Sequence, residues 1–430
     1  MTRKTPLWRL LAAAGAASLV LAACGGDDDD GEGTEPEAEA TGEETEGGDA
    51  PMFEGQLALG TLLPQTGSLA FLGPPEFAGV DLAVQEINEA GGVGGNDVTV
   101  SHTDSGDTTT DIASQSVDRL LSEDVAAVIG AASSAVSFTV LDSIVQNETI
   151  MFSPANTSPD FTTYADDGLY FRTAPSDVLQ GRVLGDLVLN DGYLDVGIMA
   201  LQDPYGEGLA DNTRISIEDG GGTIVEEIIY DPAAASYTAE VTQMAAANPE
   251  AIVLIGFDET STILPELETQ GIGPQQVPVY FVDGNLSNSY DFPEGFLEGN
   301  KGTLPGAETG EEFQQRLLEV DPELEDFSYA PESYDAAILI ALAAIQAQSV
   351  ESRDIADNLV AVSKEGTECT TFAECKDLLE QGEDIDYNGA SGPITFSDAG
   401  DVTEATVGIY EYQADNTYTN VDYQFGSLDE

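Results

Sequence analysis

Residues 125–159 read VAAVIGAASSAVSFTVLDSIVQNETIMFSPANTSP, and their pattern decides the fold class. Two short apolar runs rich in β-branched residues, Val125 to Ile129 and Thr149 to Phe152, flank a segment in which Val136, Val140, Ile144 and Val145 recur at helical spacing. That is a β-α-β unit. Each apolar run ends in a small, hydroxyl-rich loop, Ala131-Ala132-Ser133-Ser134 after the first and Ser153-Pro154-Ala155-Asn156-Thr157 after the second. In an open parallel sheet such loops share the carboxyl edge, where ligands bind, and the first also opens a helix whose free N–H groups attract anions. The two loops read as polar lips suited to a small carboxylate.

The same alternation runs outward in both directions. Gln56 to Leu63 and Asp97 to Thr103 read as strands, and Pro75 to Ala90 and Asp111 to Leu121 as helices, the former with proline in its first turn and Gly91-Gly92 past its end. This order predicts an α/β domain with a parallel sheet. After Leu169 to Arg172 a second series follows, with helices at Asp177–Leu189, Tyr205–Ile217 and Ala239–Ala246 and strands at Val196–Leu201, Thr223–Tyr230, Ala251–Ile255 and Val277–Val282. Helices are then expected at Glu311–Glu319, Pro331–Ala347 and Ile355–Val362, and Thr371 with Glu374 makes a capping-box pattern for another. Pro393–Phe396, Ala405–Tyr412 and Tyr418–Tyr423 read as late strands, the first two joined by a turn at Asp398-Ala399-Gly400. The run Gly91 to Gly95 falls after a helix and before a strand, the reverse of a phosphate loop, and reads as a cap and turn.

Composition narrows the function. The chain has 430 residues and a formal net charge of −68, a surface that repels nucleic acid and anionic membrane faces. The first 23 residues are read as a leader, with a basic start at Arg3, Lys4 and Arg9 and an apolar run from Leu10 to Ala23 too short for a comfortable membrane span. Leu21-Ala22-Ala23-Cys24 resembles the lipobox of a bacterial lipoprotein signal, which implies cleavage before Cys24 and lipid on that cysteine. Residues 24–51 are acidic and lack the apolar area to offset ordering, and so read as a tether. The remaining stretch, about 380 residues, is too long for one ordinary core, so two domains are the default. Cys369 and Cys375, six apart in an exported chain, suggest an intramolecular disulfide. No metal set is expected, since a zinc site needs more ligands than one pair and the single histidine, His102, lies far off in the sequence. Sharing strand parity with Val98 and Val100, His102 reads as a face-packed or edge residue.

Several phrases together resemble one family. Residues 60–67 (GTLLPQTG), 86–93 (EINEAGGV), 152–159 (FSPANTSP), 203–210 (DPYGEGLA), 334–337 (YDAA) and 389–396 (GASGPITF), with the Cys369/Cys375 pair, look like the branched-chain (leucine/isoleucine/valine) amino-acid-binding proteins of bacterial ABC importers. The resemblance covers residues 56 to 412 in order. It implies an α/β, two-lobed type 1 periplasmic-binding fold with three crossovers, lobe 1 being 52–174 plus 304–390 and lobe 2 being 175–303 plus 391–430. Matched by position, Ser134 and Thr157, with Ser133 beside them, would bind a ligand carboxylate, and Ala155 would supply a backbone acceptor for its ammonium. Tyr205 and Asp283 match second-lobe positions, Asp283 standing where leucine-binding members carry Glu to pair the ammonium. Leu72 and Phe257 fall where those members have aromatic residues.

The expectation is an extracytoplasmic, lipid-anchored monomer on the outer face of a bacterial cell membrane. It would use no cofactor, capture a small amino acid and deliver it to an ABC permease. Amides, urea or small aromatic acids are alternatives on the same fold, and a ligand-sensing receptor component is an alternative of another class. A hydrolase using Ser133 or Ser134 is disfavoured, because His102 is the one candidate base and no Gly-x-Ser-x-Gly elbow occurs.

Overall fold

The computed structural model describes residues 54–428; the leader, Cys24 and the acidic tether lie outside that range. The first series of elements is β1 (Ala58–Leu63), α1 (Gly73–Glu89), β2 (Thr99–Asp104), α2 (Ile112–Ser122), β3 (Ala127–Gly130), α3 (Ser134–Gln146), β4 (Ile150–Ser153) and β5 (Tyr170–Arg172). The strands form one parallel sheet in the order β2-β1-β3-β4-β5. The order reverses between β1 and β3, which opens a crevice at their carboxyl ends. Gly130 closes β3 there at φ 128°, and a Cβ on it would sit 2.1 Å from the Leu62 carbonyl oxygen, so glycine alone fits.

The second series repeats the plan with α4 (Asp177–Asn190), β6 (Asp195–Leu201), α5 (Pro204–Asp219), β7 (Thr223–Tyr230), α6 (Thr238–Ala247), β8 (Ala251–Ile255), α7 (Thr260–Gln270), β9 (Val279–Phe281) and β10 (Lys301–Pro305). The chain then forms α8 (Glu311–Val320), α9 (Ala330–Ala347), α10 (Ser352–Leu359), β11 (Thr367–Cys369), α11 (Phe372–Glu380), β12 (Ile385–Gly389), β13 (Gly392–Pro393), β14 (Glu404–Tyr412) and β15 (Tyr418–Ser427). The second sheet runs β15-β14-β10-β9-β8-β6-β7, parallel from β7 to β10, with β14 and β15 added antiparallel. Its own reversal, between β6 and β8, opens a second crevice.

Helices α8 to α11 return to the first lobe. In α9, Ala330 to Ile345 are buried throughout, and the helix packs against α1 and α10, its apolar run Ala336 to Ile345 in the core and Glu332, Ser333 and Asp335 buried in its first turns. Among the described residues no single helix is long and apolar enough to cross a membrane. Cys369 and Cys375, both buried, have Cα atoms 5.4 Å apart with their sulfurs bonded. The chain passes between the lobes three times: after β5, after β10 and before β14.

Several sequence expectations change. The resemblance implies that 391–430 belongs whole to the second lobe, yet Ile394, Phe396 and Val402 pack in the first core, so the last crossover falls near residue 403. Residues 393–396 form no full strand: β13 pairs with β12 for two residues and Phe396 makes a lone bridge to Val402. Helix α7 and strands β10, β11 and β12 escape the pattern reading. Pro265 sits inside α7, and β10, reading KGTLP, begins with a lysine and ends in a proline, both of which mimic a turn.

Candidate ligand-binding site

All the loops that matter leave carboxyl ends of strands. The first lip follows β3 and is capped by Ser133, whose Oγ accepts the Val136 N–H at 3.3 Å and starts α3. The second lip follows β4 and is bolted to the first. Ser153 Oγ donates to the Ala131 carbonyl at 2.7 Å and accepts the N–H groups of Ala155 and Asn156 at 3.2 and 2.9 Å. Asn156 Nδ2 donates to the carbonyls of Ala131 and Ala132 at 3.0 and 2.8 Å, and its Oδ1 accepts from Tyr170 at 3.0 Å. Beneath lies Arg172, fully buried. It donates to the Asn156 and Ser158 carbonyls on either side of Thr157, at 3.3 and 2.8 Å, and pairs with Asp401 of the third crossover at 2.5 Å. These bonds tie the two lips to each other and to the buried residues beneath them. On their face, Ser134 Oγ accepts only the Ser158 N–H, at 3.4 Å, and Thr157 Oγ1 is buried with no hydrogen-bond partner among the described residues.

The second lobe supplies charge and aromatic surface. Asp203 caps α5 by accepting the Gly206 N–H at 2.7 Å, which sets Tyr205 at the helix start facing the crevice. Burial pushes the Asp203 carboxyl up to about 7. The Tyr205 ring stacks on Phe257 with centroids 5.5 Å apart. Asp283, after β9, is 6% exposed and accepts three hydrogen bonds: Tyr205 Oη at 2.7 Å and Gln180 Nε2 at 2.9 Å on Oδ1, and Tyr329 Oη at 2.8 Å on Oδ2. Burial raises its proton affinity while those three donors favour the carboxylate.

These groups surround one narrow cavity. Leu72, Ser133, Ser134, Ala155 and Thr157 line it from the first lobe, and Tyr205, Phe257 and Asp283 from the second. All eight residues expected from the resemblance therefore meet in one place. Asp283 is the one charged side chain on its wall. Leu69, Leu72, Ala132 and Ala155 of the first lobe pack into the second lobe's core, and the walls leave about 10 Å³ for a water's centre, the room of about one molecule. Sequence reasoning missed Tyr329, which reaches the cavity from the loop between α8 and α9 in a left-handed conformation just before α9. The proline after it marks a helix start, but nothing marks the ring as facing a cleft. It also missed Gln180, buried inside α4, and Arg172, buried at the end of β5, because a single polar residue within a helix or strand pattern carries no mark of burial. His102 stands on the edge strand β2, its ring nitrogens 2.9 Å from Thr61 Oγ1 and from Asp81 Oδ1.

Comparison with known proteins identifies the family and the fold. Leu/Ile/Val-binding protein homolog 3 of Brucella melitensis is 26% identical over 369 residues, covering 85% of this chain and 94% of that one. The chemotactic signal transduction system substrate-binding protein BasB of Halobacterium salinarum is 26% identical over 356 residues, covering 80% and 84%. The crystal structure of the branched-chain amino acid transporter substrate-binding protein LivJ from Streptococcus pneumoniae, in complex with isoleucine, superposes with a TM-score of 0.70 at 20% identity, covering 87% of this chain and 100% of that one. A family model described as periplasmic binding protein matches residues 56–417. The fold is the two-lobed type 1 form, and the chain belongs to the periplasmic binding protein family.

Proposed function

We propose that the chain is an extracytoplasmic solute-binding lipoprotein of an ABC importer that captures a branched-chain amino acid between its lobes and hands it to the permease. One observation carries the reading: a single carboxylate, Asp283, faces hydroxyl-bearing lips across a cavity with no other charged wall. A zwitterion needs donors for its carboxylate and an acceptor for its ammonium, and either group left buried and unpaired costs about 1 to 3 kcal/mol. Ser134, Thr157 and the N-terminus of α3 supply the donors; Asp283 and the Ala155 carbonyl supply the acceptors. The ligand enters with the lobes apart, and closing brings Tyr205, Phe257 and Tyr329 over it. No bond is broken.

Lipid on Cys24 would hold the monomer at the membrane, the acidic tether giving it reach. The Cys369–Cys375 disulfide fits that oxidising location. The likeness to a chemotaxis substrate-binding protein supports a second reading, in which the same closed form reports its solute to a signalling partner. The test is calorimetry of leucine, isoleucine and valine binding to the protein and to its Asp283→Ala variant. Tight binding that collapses in the variant supports the zwitterion site. Undiminished affinity in Asp283→Ala would discard it.

A further inference from the structure

A second, larger cavity lies beside the crossovers, on the other side of Tyr329. It measures about 300 Å³ and lies between the end of β10, the start of α9 and the β14–β15 hairpin. Tyr410, Tyr418, Tyr423 and Phe327 line it, and the rings of Tyr410 and Tyr418 meet at 80° with centroids 5.3 Å apart, two walls of a corner. Tyr418 is held by its hydroxyl, which donates to Asp326 Oδ2 at 2.8 Å. Glu332, in the first turn of α9, also lines the cavity. It is 3% exposed, and its carboxyl has no hydrogen-bond partner from another residue among those described. No Lys, Arg or His lines the space, so the chain's own walls bring no cation to that carboxyl.

A buried carboxyl without a partner is costly as an anion, and the partner that offsets the cost is a cation. Tyrosine faces select for the same charge, because the ring quadrupole attracts a cation placed over it. The bare acidity of the surface does not explain this arrangement, since it places neither aromatic walls nor a buried carboxyl. We propose that this cavity binds a small organic cation of the alkylammonium or quaternary ammonium class, its charge held between Glu332 and the faces of Tyr410, Tyr418 and Tyr423. The site is separate from the amino-acid cleft and does not rest on the reading of that cleft.

The test is calorimetric titration of the full-length chain with choline and with 3,3-dimethylbutan-1-ol, its uncharged counterpart of the same shape. Titrations run in about 1 M sodium chloride, where the screening length is about 3 Å and loose attraction to the acidic surface is suppressed. Saturable binding of choline but not of the alcohol is expected, weakened about tenfold in Glu332→Gln and again in Tyr423→Leu. Glu332→Gln keeps the shape of the side chain while denying a bound cation its counter-charge, and is expected to fold; Tyr423→Leu tests the aromatic wall independently, and circular dichroism checks both. Choline binding should survive Asp283→Ala. No saturable binding, equal binding of the alcohol, or a loss that follows Asp283→Ala rather than Glu332→Gln would each overturn the proposal.

Discussion

Removing the charge of Asp401 tests how the lips are held. Arg172 is 0% exposed and its guanidinium is satisfied by Asp401 Oδ1 at 2.5 Å, the carbonyls of Asn156 and Ser158, and Thr162 Oγ1 at 3.3 Å. Asp401 Oδ2 in turn accepts from Thr162 Oγ1 at 2.6 Å. Asp401→Asn keeps the shape and leaves a buried cation uncompensated, a change that costs about 3 to 5 kcal/mol. Arg172→Met leaves two carbonyls and a carboxylate short of a donor, a loss of similar size. The double variant Arg172→Met/Asp401→Leu replaces the pair with apolar groups and should lose less than the two single losses combined. Urea unfolding followed by far-ultraviolet circular dichroism measures all three. Since Arg172 grips the residues on both sides of Thr157, amino-acid affinity should fall in Arg172→Met while the protein is still folded. A loss under about 1 kcal/mol in Asp401→Asn, or simple additivity in the double variant, would refute the claim that this pair anchors the lip.

Gly130→Ala should destabilise the protein by several kcal/mol, since its Cβ would collide with the Leu62 carbonyl at a φ of 128°; an unchanged urea midpoint would contradict the close approach at the β1–β3 crevice. Burial raises Asp203 to about 7 and Glu332 to about 8. Between about pH 5 and those values the folded protein holds protons that the unfolded chain has released, so stability falls as pH rises, by up to about 1.4 kcal/mol per group per pH unit. The melting temperature should therefore be higher at about pH 5.5 than at pH 8, and the opposite order would contradict the buried placement of these acids.

Much of this architecture is legible in the sequence because periodicity reports burial. Val136, Val140 and Ile144 mark the buried face of α3, and the flanking apolar runs become β3 and β4 within a residue or two. The lips are legible because a β-α-β unit fixes which strand end they occupy. What periodicity cannot carry is contact between elements far apart in the chain. Tyr329 and Gln180 approach Asp283 from 46 and 103 residues away, and Asp401 reaches Arg172 across 229 residues. The short strands β11 and β12 are hidden for another reason, since TEC and IDYNG show no sustained alternation. The late move of the last crossover has the same origin: Ile394 and Phe396 look like the start of a second-lobe strand until the first core claims them.

Recognition of both ends of an amino acid by the cleft is measured by comparing leucine with two analogues that each lack one end, 4-methylpentanoate and isopentylamine. Each analogue strands one set of buried groups, so each should bind about 5 to 150 times more weakly than leucine, the equivalent of the 1 to 3 kcal/mol cost of an unpaired buried polar group. Leucine binding with both analogues weakened would bear out the pairing of Asp283 with the ammonium and of Ser134 and Thr157 with the carboxylate. If 4-methylpentanoate bound as tightly as leucine, Asp283 would have no ammonium to hold and the account of the cleft would fail.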